Sequence, residues 1–174
     1  MKSILTFEEP AALQSWRTVD DVVMGGRSQS HLAWVDGSEP HRLRFEGEVS
    51  LENNGGFCSA RNQGRWDLSG FDELLWTVRG TRRPFLATLR CAGIPDGASF
   101  RHPLEPDPEF WTDCTLAFDD FRLFRRGNQL SPEARVDRAE ITSFGILLAD
   151  KASGHFVLEL AKISALAPKH SHPK

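Results

Sequence analysis

Residues 41–51 read His-Arg-Leu-Arg-Phe-Glu-Gly-Glu-Val-Ser-Leu, and apolar and polar side chains alternate along them. Leu43, Phe45, Val49 and Leu51 share one face, while Arg42, Arg44, Glu46, Glu48 and Ser50 share the other. A period of two is that of a half-buried strand, and a chain dominated by it has to stack or close its sheets to cover the apolar faces. The same alternation returns in 30–35, 74–79, 85–91, 115–118, 141–148 and 155–160. Turn-forming clusters separate these runs: Asp36-Gly37-Ser38, Asn53-Asn54-Gly55-Gly56, Ile94-Pro95-Asp96-Gly97 and Ser153-Gly154. Many short strands with few helical stretches predict an all-β fold, a sandwich or barrel. Helical signals are confined to 131–135, where Ser131 and Pro132 read as an N-cap and first position, and to a short turn within 8–16.

A chain of 174 residues suits one domain, expected over 1–167, followed by a loose polar tail with two prolines over 168–174. Net charge is −3 with the signs interspersed, so there is no basic stripe of the kind a nucleic-acid partner requires. The longest apolar stretch, 144–149, is too short to span a bilayer. Cys58, Cys91 and Cys114 are odd in number and widely spaced, which fits thiols packed as small hydrophobes in a reducing compartment and not a zinc site. The N-terminal apolar run is too short for a secretory signal and turns acidic at Glu8-Glu9, unlike a mitochondrial targeting segment. The expected location is cytoplasmic.

Two glycine-rich segments stand out. Asp20-Asp21-Val22-Val23-Met24-Gly25-Gly26-Arg27-Ser28 places two carboxylates, an arginine and a serine around paired glycines. It reads either as a binding loop or as a tight turn whose aspartates satisfy local amides. A phosphate loop is excluded, because it needs a lysine and a following helix. The second segment is Asn53-Asn54-Gly55-Gly56-Phe57-Cys58-Ser59-Ala60-Arg61. If Cys58 and Ala60 face the core, Phe57 and Arg61 line an outer face. If Phe57 is in the core, Arg61 needs a buried carboxylate, and Asp20 or Asp21 is the natural partner. Five tryptophans, Trp16, Trp34, Trp66, Trp76 and Trp111, are expected mostly in packing, with Trp111 partly exposed. Asp119-Asp120 reads as a solvated bend. None of the six histidines neighbours a nucleophile, and His170-Ser171-His172 lies in the tail, so the expectation is a non-enzyme without metal or cofactor.

Taken together, these segments resemble the complex I intermediate-associated protein family. Residues 16–28 are similar to its W-x-x-V-x-D-x-V-M-G-G-x-S opening, and residues 45–61 to its F-x-G-x-x-S-x-x-N-N-G-G-F-x-S-x-R block. Val78-Arg79-Gly80, 111–121 and 145–160 resemble its later strands. The chain departs from the pattern after Gly80, where Thr81-Arg82-Arg83 follows, and at Phe85, where a tyrosine is common. The resemblance implies a galactose-binding-like jelly-roll β-sandwich and a binding module without catalysis. Its partner would be a protein client such as respiratory complex I subunits, or alternatively a carbohydrate. The expected site comprises Asp20, Asp21, Met24, Gly25, Gly26, Arg27, Asn53, Asn54 and Arg61. Sandwiches of this type often carry a structural calcium, for which the sequence shows no dedicated ligand set.

Overall fold

Alternating side chains give each strand an apolar face, and two sheets laid face to face cover both sets at once. The computed structural model shows this arrangement, and it describes residues 1–36 and 40–169. In chain order the strands are β1 (Lys2–Thr6), β2 (Trp16–Thr18), β3 (Gln29–Val35), β4 (Arg42–Val49), β5 (Cys58–Asn62), β6 (Glu73–Gly80) and β7 (Phe85–Cys91). They continue as β8 (Ala98–Leu104), β9 (Thr112–Ala117), β10 (Arg122–Arg125), β11 (Asn128–Gln129), β12 (Ile141–Leu148) and β13 (Gly154–Leu166). A six-stranded sheet runs β3-β4-β13-β6-β9 with β1 added beside β13, and a seven-stranded sheet runs β11-β10-β8-β7-β12-β5-β2. Every pairing is antiparallel. The fold is an all-β jelly-roll sandwich.

The long strand β13 explains how β1 joins: β4 pairs with 154–160, and beyond that point β1 takes the vacated side at 162–165 while β6 covers the other. Leu43, Phe45, Trp76, Val78, Leu158 and Leu160 of the first sheet meet Ala60, Ala87, Leu89, Phe100, Phe144 and Ile146 of the second, all fully buried. Each large side chain among them contributes about 2 kcal/mol of burial free energy.

Two expectations are corrected. Leu51 does not join the core face of β4: the strand ends at Val49 and Leu51 is 46% exposed. Residues 131–135 form no helix; one turn closes with the Ala134 amide donating to the Ser131 carbonyl, and the Arg135 guanidinium takes the Pro132 and Ala134 carbonyls that a further turn would need. The turn expected within 8–16 is a short 3-10 helix, Pro10–Leu13. Trp111 is half-buried under the Arg79 guanidinium, 4.7 Å from its ring centre. Asp119 and Asp120 are exposed, as a solvated bend requires. Gly37 and Ser38, two of the three residues of the first expected turn, and His170-Ser171-His172 lie outside the described residues. Pro168 and Lys169 are exposed and irregular. Among the described residues, no helix is long and apolar enough to cross a membrane.

Candidate functional site

The two glycine-rich segments meet at one end of the sandwich, and a single carboxylate holds them together. Asp21, only 1% exposed, begins a 3-10 turn, Asp21–Met24, between β2 and β3. Its Oδ1 accepts from the Ser28 amide at 2.9 Å. Its Oδ2 accepts from the Ser28 hydroxyl at 2.5 Å, the Gly56 amide at 2.6 Å and the Phe57 amide at 3.2 Å. With its one proton given to Asp21, the Ser28 hydroxyl accepts in turn from the Ser50 amide at 2.9 Å. Burial pushes the Asp21 carboxyl pKa up, but the hydrogen bonds from Ser28, Gly56 and Phe57 outweigh it and hold the group below its ordinary value of 3.8.

Asp20 acts alongside. Its carboxylate accepts from the Ser30 hydroxyl of β3 at 2.6 Å and the Ser59 amide of β5 at 3.3 Å. β3 edges the six-stranded sheet and β5 lies one strand from the edge of the other, so the aspartate pair clasps the two sheets together. The glycines give the clasp room. A Cβ on Gly26 would come within 2.8 Å of the Asp21 Cβ and closer still to its carboxyl, and one on Gly55 would lie 2.6 Å from Oδ2. Asn53 and Asn54 both adopt the left-handed conformation, at φ 54° and 59°, turning the chain back toward Gly55. The aspartates do satisfy backbone amides, as the turn reading has it, but apart from that of Ser28 these amides come from the second glycine-rich segment and from β5 and are not local.

Those loops present apolar side chains to solvent beside the polar Arg27, Glu52, Asn53 and Asn54. Val22 is 59% exposed, Val23 73% and Met24 57%, while Leu51 stands exposed on the adjoining loop. Arg27 pairs with Glu52 at 3.6 Å across the two loops, with both side chains in solvent. Val22, Val23 and Leu51 were not singled out by pattern. The signal for the first two is the run Val22-Val23-Met24, three consecutive apolar residues in a glycine turn where no strand face exists to bury them.

Arg61 settles the orientation of β5. Cys58, Ala60 and Asn62 face inward and are buried, while Ser59 and Arg61 face outward and are half-buried. Arg61 makes no ion pair with Asp20 or Asp21; it stands on the outer face of the seven-stranded sheet, two residues beyond the Ser59 amide that Asp20 binds. Cys58 lies behind the clasp. Burial, together with the nearby Asp20 charge, pushes its thiol up to about 12, so it stays protonated and unreactive at neutral pH. Cys91 and Cys114 are also free thiols raised by burial. Among the described residues, no group of three or more His, Cys, Asp or Glu side chains is placed to hold a metal ion.

The sequence model of the family described as complex I intermediate-associated protein 30 matches residues 5–160. The mitochondrial complex I intermediate-associated protein 30 of Neurospora crassa is 22% identical over 202 residues, an alignment covering 94% of this chain and 73% of the fungal protein. The protein of the same name from Mus musculus is 24% identical, with 95% of this chain and 56% of the mouse protein covered. Among solved structures, the family 11 carbohydrate-binding module of the cellulase Lic26A-Cel5E of Clostridium thermocellum superposes with a TM-score of 0.72. That match covers 98% of this chain and 97% of the module at 18% identity, a likeness of fold.

Proposed function

Because the chain belongs to the complex I intermediate-associated protein 30 family, we propose that it is a non-catalytic module that holds a protein client, a subunit of respiratory complex I, on its clasped loops. The observation that carries this reading is the turn Val22-Val23-Met24: three adjacent apolar side chains stand in solvent on a backbone fixed by a buried carboxylate. Exposed apolar residues cost solubility unless a partner covers them, and a rigid turn loses little entropy when it docks. In this reading Met24 and its neighbours touch the client. Asp20, Asp21, Gly25, Gly26, Asn53 and Asn54 position the loop, and Arg27 sits at the polar rim. Arg61 belongs to a neighbouring surface.

The test is crosslinking followed by affinity capture from the native host, comparing the wild type with the V22S/V23S/M24S variant. Subunits of the respiratory complex should come down with the wild type and be lost from the variant, whose melting temperature should be unchanged or slightly raised. Recovery of bait alone by the wild type would overturn the proposal.

A carbohydrate ligand is the second reading, supported by the fold likeness. The tryptophans that suggested it do not gather on one face: Trp16 and Trp76 are in the core, and Trp111 lies against Arg79 of the six-stranded sheet. A thermal-shift screen with neutral oligosaccharides separates the readings, since a ligand of the native state raises its melting temperature.

A further inference from the structure

On the outer face of the seven-stranded sheet, strand register sets basic side chains in a row. Arg17 of β2 faces Arg61 of β5, which faces Gly145 of β12, which faces Thr88 of β7, which faces Arg101 of β8. Arg90 stands on the same face of β7, two residues from Thr88, opposite Ser143. Neighbouring strands are about 4.8 Å apart, so Arg61 and Arg101 flank a gap of roughly 14 Å between Cα atoms. The floor of that gap is low. A Cβ on Gly145 would meet Thr88 Oγ1 at 2.5 Å and the Ala60 carbonyl at 2.7 Å, so only a glycine fits between the strands that carry Arg61 and Thr88.

The side chains around this gap lack the carboxylate partners that Arg42, Arg79 and Arg83 possess. Arg42 and Arg79 pair with the buried Glu159, and Arg83 pairs with the half-buried Asp150. Among the described residues Arg17, Arg61 and Arg90 make no side-chain hydrogen bond or ion pair, although Arg61 and Arg90 are half-buried. Arg101 is held by neutral groups, the Ser99 hydroxyl and the Arg126 carbonyl. Burial lowers the Arg61 pKa to about 10, and the charges of Arg90 and Arg17 push the same way. Arg90 is lowered by burial and by Arg17, with Asp96 as the one carboxylate opposing. Half-buried cations that repel one another cost stability, and in a chain of net charge −3 they do not arise from a general basic character.

We propose that this face, centred on Gly145 between Arg61 and Arg90, is a binding site for a small molecule carrying two or more oxyanion groups, phosphate or carboxylate. A guanidinium presents paired donors that match the two oxygens of either group. Arg17 and Arg61 stand ready at one end of the gap and Arg90 and Arg101 at the other, so one anionic group is held at each end. The short row and the acidic remainder of the chain favour such a ligand over a nucleic-acid strand. The site is independent of the apolar turn and of the client it would hold.

The experiment measures melting temperature and titration calorimetry at low salt for the full chain, with pyrophosphate, citrate and, as a neutral control, cellobiose. Wild type should be stabilised by pyrophosphate, by citrate or by both; whichever acts identifies the phosphate or carboxylate source. R61Q/R90Q should lose the shift and bind at least about tenfold more weakly, while melting no lower than wild type without anion, because a repulsion has been removed. R135Q, which removes an exposed arginine from a loop, should behave as wild type. The proposal is overturned if neither anion acts at about 10 mM, if R61Q/R90Q responds as wild type does, or if cellobiose alone shifts the melt.

Discussion

A carboxylate removed from water is costly unless its oxygens are filled, and Asp21 is filled by amides and a hydroxyl from segments far apart in the chain. Asp21→Asn keeps the shape but turns an NH2 group toward donors, and unfolding in urea should show a loss of about 3 kcal/mol. The glycines around it separate two causes. Gly26→Ala drives a methyl into the Asp21 carboxyl, whereas Gly25→Ala meets nothing within 4 Å and suffers only from its φ of +86°. Gly25→Ala should therefore cost about 1 kcal/mol, and Gly26→Ala clearly more, read from the same urea transitions. An equal cost at both positions would mean that the carboxylate moves aside easily and that the clasp is not rigid.

Among the elements, β13 carries the largest electrostatic commitment. Glu159, 6% exposed on the face of β13 turned away from the core, receives Arg42 and Arg44 from β4 on one side and Arg79 from β6 on the other. Its carboxylate ties three adjacent strands by their side chains as their backbones are tied by the ladder. Burial raises its pKa, but hydrogen bonds from Arg42 and Arg79 and their charges outweigh that and leave it below the ordinary 4.5. Glu159→Gln removes the charge that Arg42, Arg44 and Arg79 share and should destabilise by about 3 kcal/mol in chemical unfolding, far more than an exposed pair such as Arg27 with Glu52. Glu52→Gln is the control, and its effect should stay below about 1 kcal/mol.

For the whole molecule, the three tied carboxylates Asp21, Asp150 and Glu159 share one sign. Each has a folded-state pKa below its unfolded value of 3.8 or 4.5. The stability they contribute is present above those values and is lost as the pH falls through the lower folded ones. Melting temperature should thus stay nearly flat from neutral pH down to about 5 and fall steeply below about 4, with Asp21→Asn and Glu159→Gln flattening the acid limb. The two surfaces proposed for partners have the opposite character: the apolar turn and the arginine row each sit at a cost that folding alone does not require. Replacing either should spare or raise stability while removing binding. That contrast sorts the glycine-loop residues into those that build the site and those that face outward from it.

How much of this was readable before the fold was known follows from the range of the forces involved. The sequence alone determined the strand character of β4, β6, β7, β12 and much of β13, because a period of two is local and needs only the residues themselves. It also marked Asp20, Asp21, the paired glycines and Arg61 as unusual, since their chemistry is out of place in ordinary turns. Short strands such as β2, β10 and β11 left no such trace, being too brief for a period to register and held by their neighbours. The serines that fill the aspartates, the exposure of Val22 and Leu51, and the outward turn of Arg61 were decided by tertiary structure. Each depends on which strand lies beside which, and register across a sheet is fixed by packing between residues distant in sequence. The clasp was legible as chemistry; that it joins two sheets, and leaves a row of arginines beyond it, is a property of the assembled sandwich.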